Sequence, residues 1–332
     1  MKNTKRWAPY LILAVLLAQV FMGQAQASSQ DRFDLPQPYL AWERDYLRAF
    51  PQLQVLMDEM IRVTSGQLQD PAQDILHNRV CAALAYHMAV DHKSPARTQK
   101  LAAATDLLHN IAKEDKASVL SDAKVYQAVA ALTSRLKASG KLQGSPEFFS
   151  ERAVLLNAKV SDNSGLIHHL TSATMASEIL HRLGGYTPEE ITEIETAIVE
   201  HSTGYWYFRA SVDEAAGRKG AWAIVYPEPE NDIARFAHDA DLISQFVPES
   251  VIPDGAKWRN LAKKRWGAKN TREEGQIVYY VFYRLYGEAK TEPGKALAKE
   301  KWDVIRPALL QLMNLPAQAD PIQQLGVPKT FE

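Results

Sequence analysis

The sequence predicts an all-α protein. Three observations carry that prediction. Apolar residues recur at helical spacing through most of the chain beyond residue 37, cap signals punctuate those runs, and only one short stretch, residues 221–226, reads as a strand. Composition agrees: 46% of the 332 residues are hydrophobic, enough for a substantial core, and 33 are Gly or Pro, near ordinary usage. These values exclude collagen-like, low-complexity and wholly disordered chains. A single Cys excludes an internal disulfide and any Cys-rich zinc or iron–sulfur site, which leaves nine His as the notable ligand supply.

The first element precedes the fold. Lys2, Lys5 and Arg6 lead an apolar run from Ala8 to Met22, followed by Ala25-Gln26-Ala27. A basic start, a run short for a membrane span and a small-x-small site form the pattern of a secretory signal peptide over residues 1–27. Cleavage there leaves 35 basic against 39 acidic residues, a mildly acidic balance. The expectation is an exported, periplasmic protein with no further transmembrane span. With no basic stripe, no nucleic acid polymer is expected as partner.

Leu40, Trp42, Tyr46, Leu47, Phe50, Leu53, Leu56, Met57, Met60 and Ile61 lie at helical spacing over 38–64, and Pro51 divides them into two helices. Asp74 caps a helix running to about Val90. Residues 96–113 form another, with Leu101, Ala104, Leu107, Leu108 and Ile111 on one side, and 121–139 a further one. A helix over 166–183 stops at Gly184-Gly185. Thr187 and Glu190 form a capping box, with Pro188 in the first turn, and that helix runs to about His201. Residues 203–230, broken by Gly204, Gly217, Gly220, Pro227 and Pro229, read as a long loop. Helical signal returns at 231–246, at 271–286 capped by Thr271 and Glu274, and at 293–313. The tail from Pro316 is polar and reads as loosely packed. The division expected is an N-terminal helical extension (28–70), a metal-binding domain (71–250) and a C-terminal helical extension and tail (251–332).

Five of these elements carry His or Asp: His77, His109, His168-His169, His201, and His238 to Asp241. Imidazole and carboxylate together suit Mn, Fe, Zn, Co or Ni without choosing among them. Separate helices of a bundle can bring such ligands to one interior point. His87, His92 and His181 read as ordinary hydrogen-bonded side chains, and Cys81, among Ala and Leu, as a buried inert thiol.

The order and spacing of these pieces resemble the HD-domain superfamily of metal-dependent phosphohydrolases. His77-Asn78-Arg79-Val80 is similar to its opening His-x-x-Arg-Val, and Leu107-Leu108-His109-Asn110-Ile111-Ala112-Lys113 to its Leu-Leu-His-Asp-Ile-Gly-Lys. His168 precedes Ser172-Ala173, Ala176 and Ile179-Leu180 in the phase of the two-metal members. His201 closes the next helix, and Asp241 stands in Ala240-Asp241-Leu242. The resemblance spans about residues 74–245. It implies an HD-type helical bundle with extra N- and C-terminal helices, and one or two divalent transition-metal ions held by His77, His109, Asn110, His168, His201 and Asp241. It further implies a small phosphorylated substrate, possible nucleotides included, with Lys113 stabilising developing charge and Arg79 and Arg209 facing phosphate. From its own sequence, Arg79 reads better as the partner of a local carboxylate. Tyr205, Trp206, Tyr207, Arg209, Arg218 and Lys219 make the 203–230 loop a candidate lid.

One departure matters. The Asp of the His-Asp doublet, which bridges two ions in that family, is Asn110 here. Three readings follow: a single ion, a second ion held by a displaced carboxylate (Asp106, Glu114, Asp115 or Asp239), or loss of catalysis. The function expected is phosphomonoester or phosphodiester hydrolysis. The rivals are a catalytically degenerate scaffold and, against the loss of the bridging carboxylate, a di-iron oxygenase. No Gly-rich phosphate loop and no Gly-x-Ser-x-Gly elbow offers another chemistry.

Overall fold

A computed structural model describes residues 35–66, 71–112, 123–144, 164–203 and 224–331. The segment read as a signal peptide, Lys113, Glu114, Asp115, Arg209 and the rest of residues 204–223 lie outside them. Helices dominate, and a two-residue antiparallel pairing of β1 (Gln143–Gly144) with β2 (Ile224–Val225) is the strand content among the described residues. No helix among them is long and apolar enough to cross a membrane.

Two helices form the centre. α3 (Pro71–Asp91) and α4 (Ala96–Leu108) pack closely as a hairpin. Both are apolar around much of their circumference, as buried helices must be. Ala82, Ala83 and Ala85 on α3 and Ala102, Ala103 and Ala104 on α4 are wholly buried, and their small side chains let the backbones approach. α1 (Tyr39–Ala49) and α2 (Gln52–Ser65), separated at Pro51 as the sequence requires, lie on this pair. α5 (Ala123–Ala138) packs on α6 (Ser164–Leu183), which pairs with α7 (Pro188–Glu200). α8 (Asp232–Ser244) crosses α3, α4 and α7. α9 (Lys257–Lys264), α10 (Thr271–Tyr286), α11 (Glu292–Leu312) and the short α12 (Pro321–Leu325) complete the chain, α11 reaching back to α8 and α3.

The local chemistry explains the ends. Thr187 accepts from the Glu190 backbone N–H while the Glu190 carboxylate accepts from that of Thr187, the full capping box. Gly184 and Gly185 after α6 have φ of 72° and 79°, where a side chain would be strained.

Four local expectations change. α3 begins at Pro71, so Asp74 lies in its first turn instead of capping it. α4 ends at Leu108 and leaves His109 at its C-cap. α10 is capped by Asn270, whose side chain accepts from the Glu273 N–H; Glu274 is buried and takes a 2.7 Å bond from Arg259 Nε. The tail is held, because Phe331 rests on Trp266 and Tyr280 and Asp320 caps α12.

Candidate metal centre

Each site side chain arrives on a different helix: His77 in α3, His109 at the C-cap of α4, His168 in the first turns of α6, His201 at the C-cap of α7 and Asp241 in α8. The packing of α8 across α3, α4 and α7 is what brings them together.

The donors form two groups that touch. In the first, His77 Nε2 lies 3.2 Å from His109 Nε2 and 3.2 Å from Asp241 Oδ1, and His109 Nε2 is 3.9 Å from the same oxygen. Cys81 Sγ, one turn beyond His77, is 3.8 Å from both ring nitrogens of His77. Donor atoms of His77, Cys81, His109 and Asp241 all fall within 4.8 Å of one another. In the second group, His168 Nε2 lies 3.3 Å from His201 Nε2, and His169 joins them within 4.8 Å. His109 and His201 rings, 5.0 Å apart between centroids and edge to face, connect the two groups. His169 stacks between His201 and Tyr226.

Backbone carbonyls set the tautomers of the central pair. His109 Nδ1 donates to the Asp106 carbonyl at 2.8 Å, and His201 Nδ1 donates to the Ile198 carbonyl at 2.5 Å. A carbonyl only accepts, so Nδ1 carries the proton and Nε2 presents its lone pair to the cluster. Asp241 is fixed by Thr203 Oγ1, which donates to Oδ2 at 3.0 Å. Ser244 Oγ is 3.4 Å from His77 Nδ1. These fasteners are of the kind that orient metal ligands.

Electrostatics favour a cation here. Burial, then the neighbouring His201 and His77, holds the His109 imidazole well below its usual range, so it stays neutral at neutral pH. Burial and the neighbouring His201 and His168 do the same to His169. Burial raises the Asp241 carboxyl, but its bond to His77 and the charge that ring can carry outweigh it and hold the group well below the usual carboxylate range. Two helix C-termini, with their partial negative charge, also end at the site. Most of it is buried; His77 and Asp241, with side chains 16% and 15% exposed, form its open edge.

Asn110 lies beside His109. Its Nδ2 is 2.9 Å from His109 Nε2, and its Oδ1 is buried without a hydrogen-bond partner among the described residues. An orphaned amide oxygen beside unprotonated imidazole nitrogens fits a cation. Asp106 is also close, its Oδ1 3.6 Å from His109 Nδ1. Asp239 is elsewhere: it accepts from the backbone N–H groups of Lys290 and Thr291 and from Thr291 Oγ1, joining α8 to the start of α11. His238 follows it there, with Nδ1 3.0 Å from Asp239 Oδ1.

Arg79, two residues from His77, is turned away from the donors. It makes a buried, two-pronged pair with Glu43 of α1, at 2.8 and 2.5 Å. The cation therefore fastens the N-terminal helix to α3. His87 stacks on Trp42 and His92 packs on Phe236, in keeping with ordinary structural roles. Sequence reading left Cys81, Thr203 and Ser244 without a part in the site. The spacing of Cys81 one turn after His77 was the available signal; nothing in the local sequence marks Thr203 or Ser244. No family model, curated protein or solved structure matches this chain.

Proposed function

We propose that the protein is an exported, metal-dependent phosphohydrolase of the HD type, acting on a small phosphomonoester or phosphodiester. The observation that carries this reading is the contact of His109 with His201, which joins two donor groups drawn from five helices with both Nε2 lone pairs facing inward. Such a constellation is a poor structural core, since among the described residues it buries polar groups without pairing all of them. Export rests on the N-terminal leader pattern alone.

A divalent ion bound there supplies a Lewis acid for a phosphoryl oxygen and lowers the pKa of water. The chain supplies the rest. The backbone carbonyls of Asp106 and Ile198 keep the His109 and His201 protons away from the donor edge. Thr203 holds Asp241 with Oδ1 toward His77, where it adds negative charge on the open edge.

One observation favours a non-catalytic scaffold instead: the Asn110 Nδ2 points at the His109 Nε2 lone pair and occupies it. Elemental analysis of purified protein separates the two. The enzyme reading expects one or two transition-metal ions per chain and Mn²⁺-dependent cleavage of a chromogenic phosphodiester, both lost in His109→Ala. Metal-free protein, or hydrolysis indifferent to that substitution, ends the catalytic assignment.

A further inference from the structure

His77 and Cys81 stand four residues apart on α3, so their side chains share one face of the helix. That face meets α8. Cys81 Sγ lies 3.8 Å from the Ala240 carbonyl, and Ser244 Oγ lies 3.4 Å from His77 Nδ1. The Ser244 hydroxyl donates to the Asp241 carbonyl at 2.6 Å, so its oxygen accepts from His77 Nδ1 and leaves the Nε2 lone pair toward His109 and Asp241. The spacing of the donors has the size that a cation imposes. A four-coordinate ion with N or O at about 2.0–2.1 Å and S at about 2.3 Å sets its donors about 3.3 Å apart, or about 3.5 Å where one is sulfur. His77 Nε2 is 3.2 Å from His109 Nε2, 3.2 Å from Asp241 Oδ1 and 3.8 Å from the wholly buried Cys81 Sγ. His109 Nε2 is 3.9 Å from Asp241 Oδ1, and the sulfur is within 4.8 Å of a donor atom of each of the other three residues. Asn110 Oδ1, buried beside His109 and without a hydrogen-bond partner among the described residues, is an independent sign that a cation belongs at this point.

Building on the metal-centre reading, we propose that Cys81 is itself a ligand, completing a four-coordinate set with His77, His109 and Asp241 as its thiolate. When the ion binds, the S–H proton leaves to solvent and a sulfur electron pair forms the bond to the metal; nothing is oxidised or reduced. α3 then supplies two ligands from adjacent turns, and α4 and α8 supply one each. Thiolate and carboxylate together bring two negative charges to a dication. The soft sulfur also decides which ion the site prefers, favouring Zn²⁺ over Mn²⁺, which suits oxygen donors better. Mn²⁺ still binds through the two imidazoles and the carboxylate, and gains little from the sulfur.

The test uses the full chain, whose single cysteine makes any thiolate signal that of Cys81. Metal-free protein is saturated with Zn²⁺ in thiol-free buffer and read by X-ray absorption at the zinc edge. Loading with Co²⁺ gives an independent readout, the near-ultraviolet charge-transfer band of a cobalt thiolate. The result expected is a sulfur neighbour about 2.3 Å from zinc and the cobalt band, both lost in Cys81→Ser and Cys81→Ala. Zn²⁺ affinity in either variant should fall at least about tenfold, the lower end for residues that only orient a ligand, while Mn²⁺ affinity hardly changes. Bound zinc with nitrogen and oxygen neighbours alone and no cobalt band, or equal losses of Zn²⁺ and Mn²⁺ affinity, overturns this inference and leaves the metal centre standing. A chain that takes up none of the three ions overturns both. If neither variant folds, the wild-type spectra decide, since the chain has no other thiol.

Discussion

Asp106 gives the sharpest test of whether the cluster is built for a cation. It is fully buried, and neither carboxylate oxygen has a hydrogen-bond partner among the described residues. The nearest ring nitrogen, His109 Nδ1 at 3.6 Å, commits its proton to the backbone carbonyl of Asp106. Burial, and then the charge of Asp241, raises the Asp106 carboxyl well above the usual range. In metal-free protein this acid is a liability. Leaving a buried polar group unsatisfied costs about 1–3 kcal/mol, and more for a charge. Asp106→Asn keeps the shape and removes the ionisable group; its amide is no better paired than the acid, so at neutral pH the gain for the metal-free chain is the linkage term, on the order of 1–3 kcal/mol. The sign with pH follows from the raised pKa. Below about pH 4 the acid is protonated in both native and unfolded chains, and wild type and variant converge. As pH rises the unfolded chain ionises freely while the native acid resists, so the advantage of the variant grows until the native acid ionises as well. With metal the effect reverses: the lost charge behind His109 should weaken binding about tenfold, the lower end for outer-shell partners. Urea unfolding in EDTA between pH 4 and 8, with metal titration beside it, reads both. A variant less stable than wild type, a pH-independent gap or unchanged metal affinity would refute this reasoning.

Other expectations follow from the same contacts. Arg79→Ala leaves the buried Glu43 carboxylate unpaired and should destabilise by about 3–5 kcal/mol in urea unfolding; the metal-to-protein ratio of the folded fraction should be unchanged, because Arg79 faces α1. A Cβ at Gly294 would stand 2.1 Å from Asp239 Oδ2, so Gly294→Ala should lower the melting temperature and release the α8–α11 junction, seen as faster amide exchange at Lys290 and Thr291. Thr187→Ala removes the side-chain half of the capping box and should cost about 1 kcal/mol by urea unfolding, with no change at the metal centre.

Much of this was legible in the sequence because it depends on local chemistry. Pro51, the Gly184-Gly185 stop and the Thr187 box act within a few residues, and the helices end where they direct. The short helices α9 and α12 escaped notice for the converse reason. α9 is eight residues with four Lys or Arg, too short and too polar on average to stand out from the surrounding loop, and it is placed by Trp258 against Phe282. The polar tail looked loose because its anchor, Phe331, finds its aromatic partners far back in the chain. The meeting of His77, His109, His168, His201 and Asp241 was suggested by order and spacing. A carboxylate partner for Arg79 was the favoured reading, but Glu43 itself was not legible because it lies 36 residues away.

The termination of α4 at Leu108 shows how fold and site depend on one physical cause. The last carbonyls of any helix lack an intrahelical donor. At α4 the carbonyl two residues before the final helical residue, that of Asp106, takes the Nδ1 proton of the next residue, His109; at α7 the carbonyl of Ile198 in the same position takes that of His201. One bond thus closes the helix end, selects the tautomer and aims the free nitrogen at its neighbour. Had α4 continued to residue 113, as its apolar spacing suggests, the Asp106 carbonyl would accept from the Asn110 N–H, and His109 would lose this lock. Two helices repeat the device, and their rings are the two that meet at 5.0 Å. The juncture of the donor groups is therefore made by helix ends, where the backbone itself has hydrogen-bonding capacity to spare.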